Sequence, residues 1–242
     1  MSSSRDTDSD VRKVLTQADL HTMRQRCRVI ALLDAAERVG ISPMRAERLH
    51  AFAYLADVLS PVWHLPAFDG KILKIEGGPH YPDFQREIDR LVVAGLLEIS
   101  EISYLARPDE GARIDGLYAL NFQSPFLQQI LAALGARESE LALDPRDCEV
   151  QAFLVDLAGA LATVPDDEIG AAATLDATYA DERFTPSSVI DFGEWSTDIH
   201  VDNLSLRTVD QFNKFLPQSA NLPSGEKLYL YASFLGRRIR AR

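Results

Sequence analysis

The stretch 68–122 constrains the fold more than any other part of this chain. It reads FDGKILKIEGG, then PHYPDFQREIDRLVVAGLLEIS, then EISYLARPDEGARIDGLYALNF. Phe84, Ile88, Leu91 and Val92 recur at helical spacing, so a helix over 81–94 has one apolar face. Pro82 suits the first turn, where its missing N–H costs nothing, and Gly95 supplies the left-handed residue that stops the helix. Ile99, Ile102 and Tyr104 alternate imperfectly with polar residues, which predicts a half-buried strand with a bulge. Pro108-Asp109-Glu110-Gly111 is turn chemistry, and 117–120 returns as a second strand. With a short strand ahead of the helix, the order is strand, helix, strand, turn, strand. That is the pattern of a winged-helix unit.

A winged helix invites comparison with DNA readers, and the charge argues against that use. Between Lys71 and Asp115 stand six basic and nine acidic residues, a net charge of −3. DNA binding needs cations that neutralise phosphates, and that contribution supplies most non-specific affinity. The helix over 81–94 presents Arg86 and Arg90, but Glu87 and Asp89 flank them. The turn between the two strands carries Asp109 and Glu110, where a groove-entering wing would carry Arg or Lys. The expectation is a winged helix used as a protein-binding scaffold.

Charge elsewhere is equally uneven. From Glu138 to Asp202 there are sixteen acids against Arg146 and Arg183, a net of −14. From Glu226 to Arg242 the net is +4, with Arg237, Arg238 and Arg240 clustered near the end. A helix around Arg24, Arg26 and Arg28 is also basic. Such blocks are solvated faces or docking surfaces for oppositely charged partners. The partner-binding or nucleic-acid-contacting candidates are therefore Arg86 and Arg90 on one helix, and Arg237, Arg238 and Arg240 on another.

The expected fold class is mainly α with a small β wing: a polar leader over 1–14, a winged-helix domain over 15–122 and a helical domain over 123–242. In the first domain a helix over 17–38 carries a stripe of Leu20, Met23, Cys27, Ile30 and Leu33 and stops at Gly40. Ser42-Pro43 then starts a second helix, whose buried side is Leu49, Phe52, Ala53 and Ala56. Gly77-Gly78-Pro79 reads as a turn. After residue 122, helices are expected over 124–134, 149–164, 166–184, 187–195, 205–215 and 226–240.

Several functions are disfavoured by what the sequence contains. No apolar run is long enough to cross a bilayer, and the polar first residues lack a signal-peptide core, so a cytoplasmic chain with no membrane contact is expected. Cys27 and Cys148 make neither a disulfide framework nor a metal motif. The five histidines have no zinc spacing, and there is no phosphate loop. His50, among apolar neighbours, reads as packed. Asp166-Asp167-Glu168 precedes a helix, where acids suit the N-terminal dipole. Asp191, Glu194 and Asp198 stand at helical spacing without the partner Lys or His of a nuclease or hydrolase site. No catalytic residue, cofactor or metal is assigned, and an enzyme with an unrecognised site is the weakest reading.

The runs LLDAA (32–36), RLHAFAYLA (48–56), LSPVW (59–63), FDGKILK (68–74) and GGPHYP (77–82) resemble a known family. They are similar to the middle component of bacterial three-component anti-phage systems built around an SMC-like ATPase, of which Lamassu is an example. The resemblance covers about residues 30–95. It implies an accessory protein that joins the ATPase and an effector, often a nuclease, into one complex, with no catalytic residues of its own. DNA contact is then expected only indirectly or through the complex. The alternative is a transcriptional regulator that reads DNA through the helix over 81–94 and the wing.

Overall fold

The computed structural model describes residues 16–68, 71–107, 111–134, 145–192, 203–212, 214 and 222–241. The leader 1–14, the turn acids Asp109 and Glu110, and Glu194 and Asp198 lie outside them. The fold is mostly helical with two small antiparallel sheets, an α+β architecture.

Helix α1 spans Gln17–Val39. Thr16 caps it in a reciprocal box with Asp19, and Gly40 at φ 79° ends it by turning left-handed. Its expected apolar stripe holds only in the second half. Val29, Ile30, Leu32 and Leu33 are buried, whereas Leu20 and Met23 are exposed. Helix α2, Ala46–Leu59, is buried on nearly every side, which its AFAYLA run allows, and forms the central pillar of the core.

The helix start expected at Ser42-Pro43 is displaced to Ala46, because residues 44–45 form a strand, β1 (Met44–Arg45). Met44 is fully buried and pairs with Tyr118, so cross-strand bonding overrides the local capping signal. Helix α3 spans Pro82–Val93 and stops as expected: Gly95 is left-handed, and Leu96 N–H reaches back to Leu91 C=O. The hairpin of β4 (Leu97–Arg107) and β5 (Gly111–Leu120) follows, with the bulge between Ser100 and Ser103. The first sheet has the order β1-β5-β4.

The strand ahead of α3, β2 (Lys71–Ile75), belongs to a different sheet. It pairs with β3 (Gly78–His80), formed where the sequence reads only as a turn. Its other partner is β6 (Ser188–Asp191), which replaces the helix expected over 187–195. The period there is two: Val189 is exposed, Ile190 is buried, and Ile72 faces Ile190 across the ladder.

The remaining helices are α4 (Leu127–Ala133), α5 (Pro145–Leu161), α6 (Ile169–Leu175), α7 (Leu204–Phe212) and α8 (Ser224–Arg240). A 3-10 turn over 60–63 links α2 to the loop before β2, and another over 166–168 leads into α6. Residues from both sides of 122 share one hydrophobic core, in which Leu55, Phe84, Leu157 and Tyr231 all take part. Among the described residues, no helix is long and apolar enough to cross a membrane.

Candidate interaction surfaces on two helices

The five arginines singled out in the sequence lie on two helices, and their surroundings differ. On α3 the apolar face of Phe84, Ile88 and Leu91 is buried against α1 and the hairpin, leaving Arg86 and Arg90 exposed. Neither is uncommitted. Arg86 Nη2 donates to Asp83 Oδ1 at 2.7 Å, and Arg90 Nη1 donates to Glu87 Oε1 at 2.5 Å, both at i, i+3 spacing. Glu87, itself buried, also accepts from Arg26 Nε of α1 at 2.6 Å. His21 Nε2 of α1 lies 3.3 Å from Asp83 Oδ2. The carboxylates thus compensate α3's cations, while α1 lies along its flank. An arriving phosphate would have to displace a carboxylate from each arginine. The exposed Arg86–Asp83 pair is worth at most about 1 kcal/mol, but the field that these pairs leave is close to neutral.

On α8 the inward face is Leu228, Tyr231, Ala232, Leu235 and Gly236, packed on α5, α6 and α7. Arg237, Arg238 and Arg240 occupy the last turn, where cations complement the helix dipole. Arg237 and Arg240 are exposed, and Arg238 lies with its guanidinium 5.6 Å from the centre of the Phe234 ring. Among the described residues, no carboxylate lies within ion-pair distance of these three arginines.

The third basic group, Arg24, Arg26 and Arg28, is not a surface patch. Arg28 is 2% exposed. Its Nη2 donates to Asp57 Oδ2 at 2.7 Å and to Ala53 C=O at 2.8 Å. Its guanidinium also lies over Tyr81, Phe68 and Phe84, with 4.6 Å to the Tyr81 centroid. Arg26 is taken by Glu87. Nor does the helix activate Cys27, because burial, reinforced by nearby Asp147, pushes that thiol up from its ordinary value.

Each of the two helices is fixed by a phenol on a buried carboxylate. Tyr81, the residue before α3, donates from its hydroxyl to Asp57 Oδ2 at 2.6 Å. Asp57 also accepts the backbone N–H of Phe68 at 2.8 Å. Tyr81 N–H donates to His50 Nδ1 at 3.2 Å, so the proton on that ring sits on Nε2, 3.0 Å from Gln85 Oε1. His50 is therefore packed, locking α2 to the start of α3. Tyr231 of α8 donates to Asp176 Oδ2 at 2.5 Å. Asp176 is fully buried and also accepts from Tyr54, Ser205 and the N–H groups of Thr178 and Tyr179. Among the described residues, no cation reaches it. Burial first, and the adjacent carboxylate second, push the Tyr54, Tyr81 and Tyr231 phenols well above their ordinary value. Burial also raises the Tyr179 phenol, to about 12.

Sequence reasoning missed both anchors. Their parts are far apart in the chain, and a buried Asp reads like any surface acid. The one usable signal was Asp57 within the otherwise apolar run of α2. Among the described residues, no group of three His, Cys, Asp or Glu side chains is placed to hold a metal ion. Comparison with protein-family models, with curated proteins and with solved structures found no match to this chain.

Proposed function

We propose that this chain is a non-catalytic adaptor subunit of a cytoplasmic bacterial anti-phage defence complex, joining an SMC-like ATPase to an effector such as a nuclease. The observation that carries the reading is the contrast between the arginine sets. Among the described residues those of α8 have no carboxylate within ion-pair distance, whereas those of α3 are compensated by Asp83 and Glu87. The order α1, β1, α2, α3, β4, β5, with β1 as third strand of the hairpin's sheet, supports a winged-helix assignment. On that reading the β2–β3 ribbon is an insertion between the second and third helices. The resemblance over residues 30–95 supplies the identity of the partners.

The rival is a transcriptional regulator reading DNA through α3 and the wing. Affinity capture of the tagged chain from its native host, with mass spectrometry of what is retained, tests the choice. Recovery of a coiled-coil ATPase together with an effector is expected. Recovery of neither, combined with a salt-dependent gel shift abolished by Arg86→Ala with Arg90→Ala, would replace the adaptor with the regulator.

A further inference from the structure

The opposite end of α8 presents a cleft of different character. It opens between the 3-10 turn over 60–63, α5 and the first turn of α8, and is lined by Trp63, Asp156, Pro223, Gly225, Glu226 and Tyr229. We propose that this cleft receives an arginine side chain from a partner polypeptide. Two of its walls are aromatic and two of its polar groups are carboxylates, and among the described residues no basic side chain lines it. That pairing is what cation recognition uses: a ring face attracts the positive charge and a carboxylate closes an ion pair. A guanidinium fits better than an ammonium, because it is planar, stacks on rings and meets a carboxylate in two parallel hydrogen bonds.

The cleft is held open by close packing. Tyr229 lies against α5 because residue 159 is glycine; a Cβ there would meet the Tyr229 hydroxyl at 2.4 Å. Gly225 plays the same part for Asp156, whose Oδ2 would stand 2.6 Å from a Cβ at that position. Glu226 alone has an explanation in the α8 dipole, which favours an acid in the first turn. Asp156 comes from another helix. Among the described residues, no hydrogen-bond donor reaches its carboxylate, and partial burial pushes that carboxyl up from its ordinary value. A cation placed against it would recover the hydration that burial removes. Asp156 itself belongs to the acidic block from Glu138 to Asp202, whereas Glu226 opens the basic last segment, so the two carboxylates come from distant parts of the sequence.

The proposal depends on the adaptor reading only for the source of the arginine. Trp195→Phe leaves Trp63 the single indole of the full chain, and its N–H resonance can be followed during titration. The probes are acetyl-Gly-Arg-Gly-amide and its lysine and citrulline counterparts. The arginine peptide is expected to shift the resonance with a Kd on the order of millimolar, the lysine peptide more weakly and the citrulline peptide not at all. Asp156→Asn and Tyr229→Leu should each weaken arginine binding about threefold without moving the melting temperature. An equal response to citrulline, no response to arginine, or full binding by the double variant overturns the proposal. The adaptor reading fails separately, when capture recovers neither ATPase nor effector although the peptide titration succeeds.

Discussion

Helices α3 and α8 are built to one plan and present opposite surfaces. Each buries an apolar face, each carries arginines outward, and each is moored through a tyrosine hydroxyl on a buried carboxylate. On α3 every arginine has an acid three residues before it, and the buried Asp57 has Arg28 as a counter-ion. On α8 the arginines gather at the C-terminal turn with no acid in reach among the described residues, and the described donors to Asp176 are hydroxyl and N–H groups. Counting cations along a sequence therefore does not give a surface its sign. The position of the nearest carboxylate does.

The largest expected effect separates the two moorings. Asp57→Asn takes a carboxylate from the buried Arg28 and should cost about 3–5 kcal/mol. Asp176→Asn leaves no cation behind, and the hydroxyls of Tyr231 and Ser205 can rotate to accept from the new amide. It should cost about 2–3 kcal/mol. Urea unfolding measures both, and a reversed order would break the comparison.

Alkaline titration reads the same moorings through their phenols. The folded chain holds Tyr54, Tyr81, Tyr179 and Tyr231 protonated above the ordinary value of 10.0. Their contribution is fully present below about pH 10 and is lost as pH rises through the folded values, which for Tyr179 means towards about 12. Absorbance at 295 nm should show these four phenols ionising only in step with unfolding. Their ionisation at pH 10 in the folded chain would contradict the hydrogen bonding described.

A smaller effect concerns the surface of α3. Asp83→Asn with Glu87→Gln removes the carboxylates that compensate Arg26, Arg86 and Arg90. Non-specific DNA affinity should rise a few-fold, and the slope of log K against log salt should steepen by about 2. An unchanged slope would mean that those acids do not control the helix's field.

Much of the fold is legible in the sequence because its signals are local. Gly40 and Gly95 stop their helices where composition says they should, and the imperfect alternation of Ile99, Ile102 and Tyr104 marks a bulge that is there. Two of the errors share a cause. Met44–Arg45 and Ser188–Asp191 are strands of two and four residues, formed only because distant partners, β5 and β2, bond to them. A run so short carries no period that sequence alone can resolve. The candidate site divides the same way. The positions of the five arginines were readable, whereas the fate of Arg28 depended on Asp57 and Tyr81, twenty-nine and fifty-three residues away. Charge reversal of α8 reaches the functional half of that comparison.

Quantitative capture of the ATPase and effector from the native host, comparing wild type, Arg237→Glu with Arg240→Glu, and Arg86→Ala with Arg90→Ala, tests the adaptor account most directly. The account predicts at least a tenfold loss for the α8 pair, about 1.4 kcal/mol or more, and none for the α3 pair, with all three proteins melting alike. Loss confined to the α3 pair, or no recovery of either partner by the wild type, would contradict it.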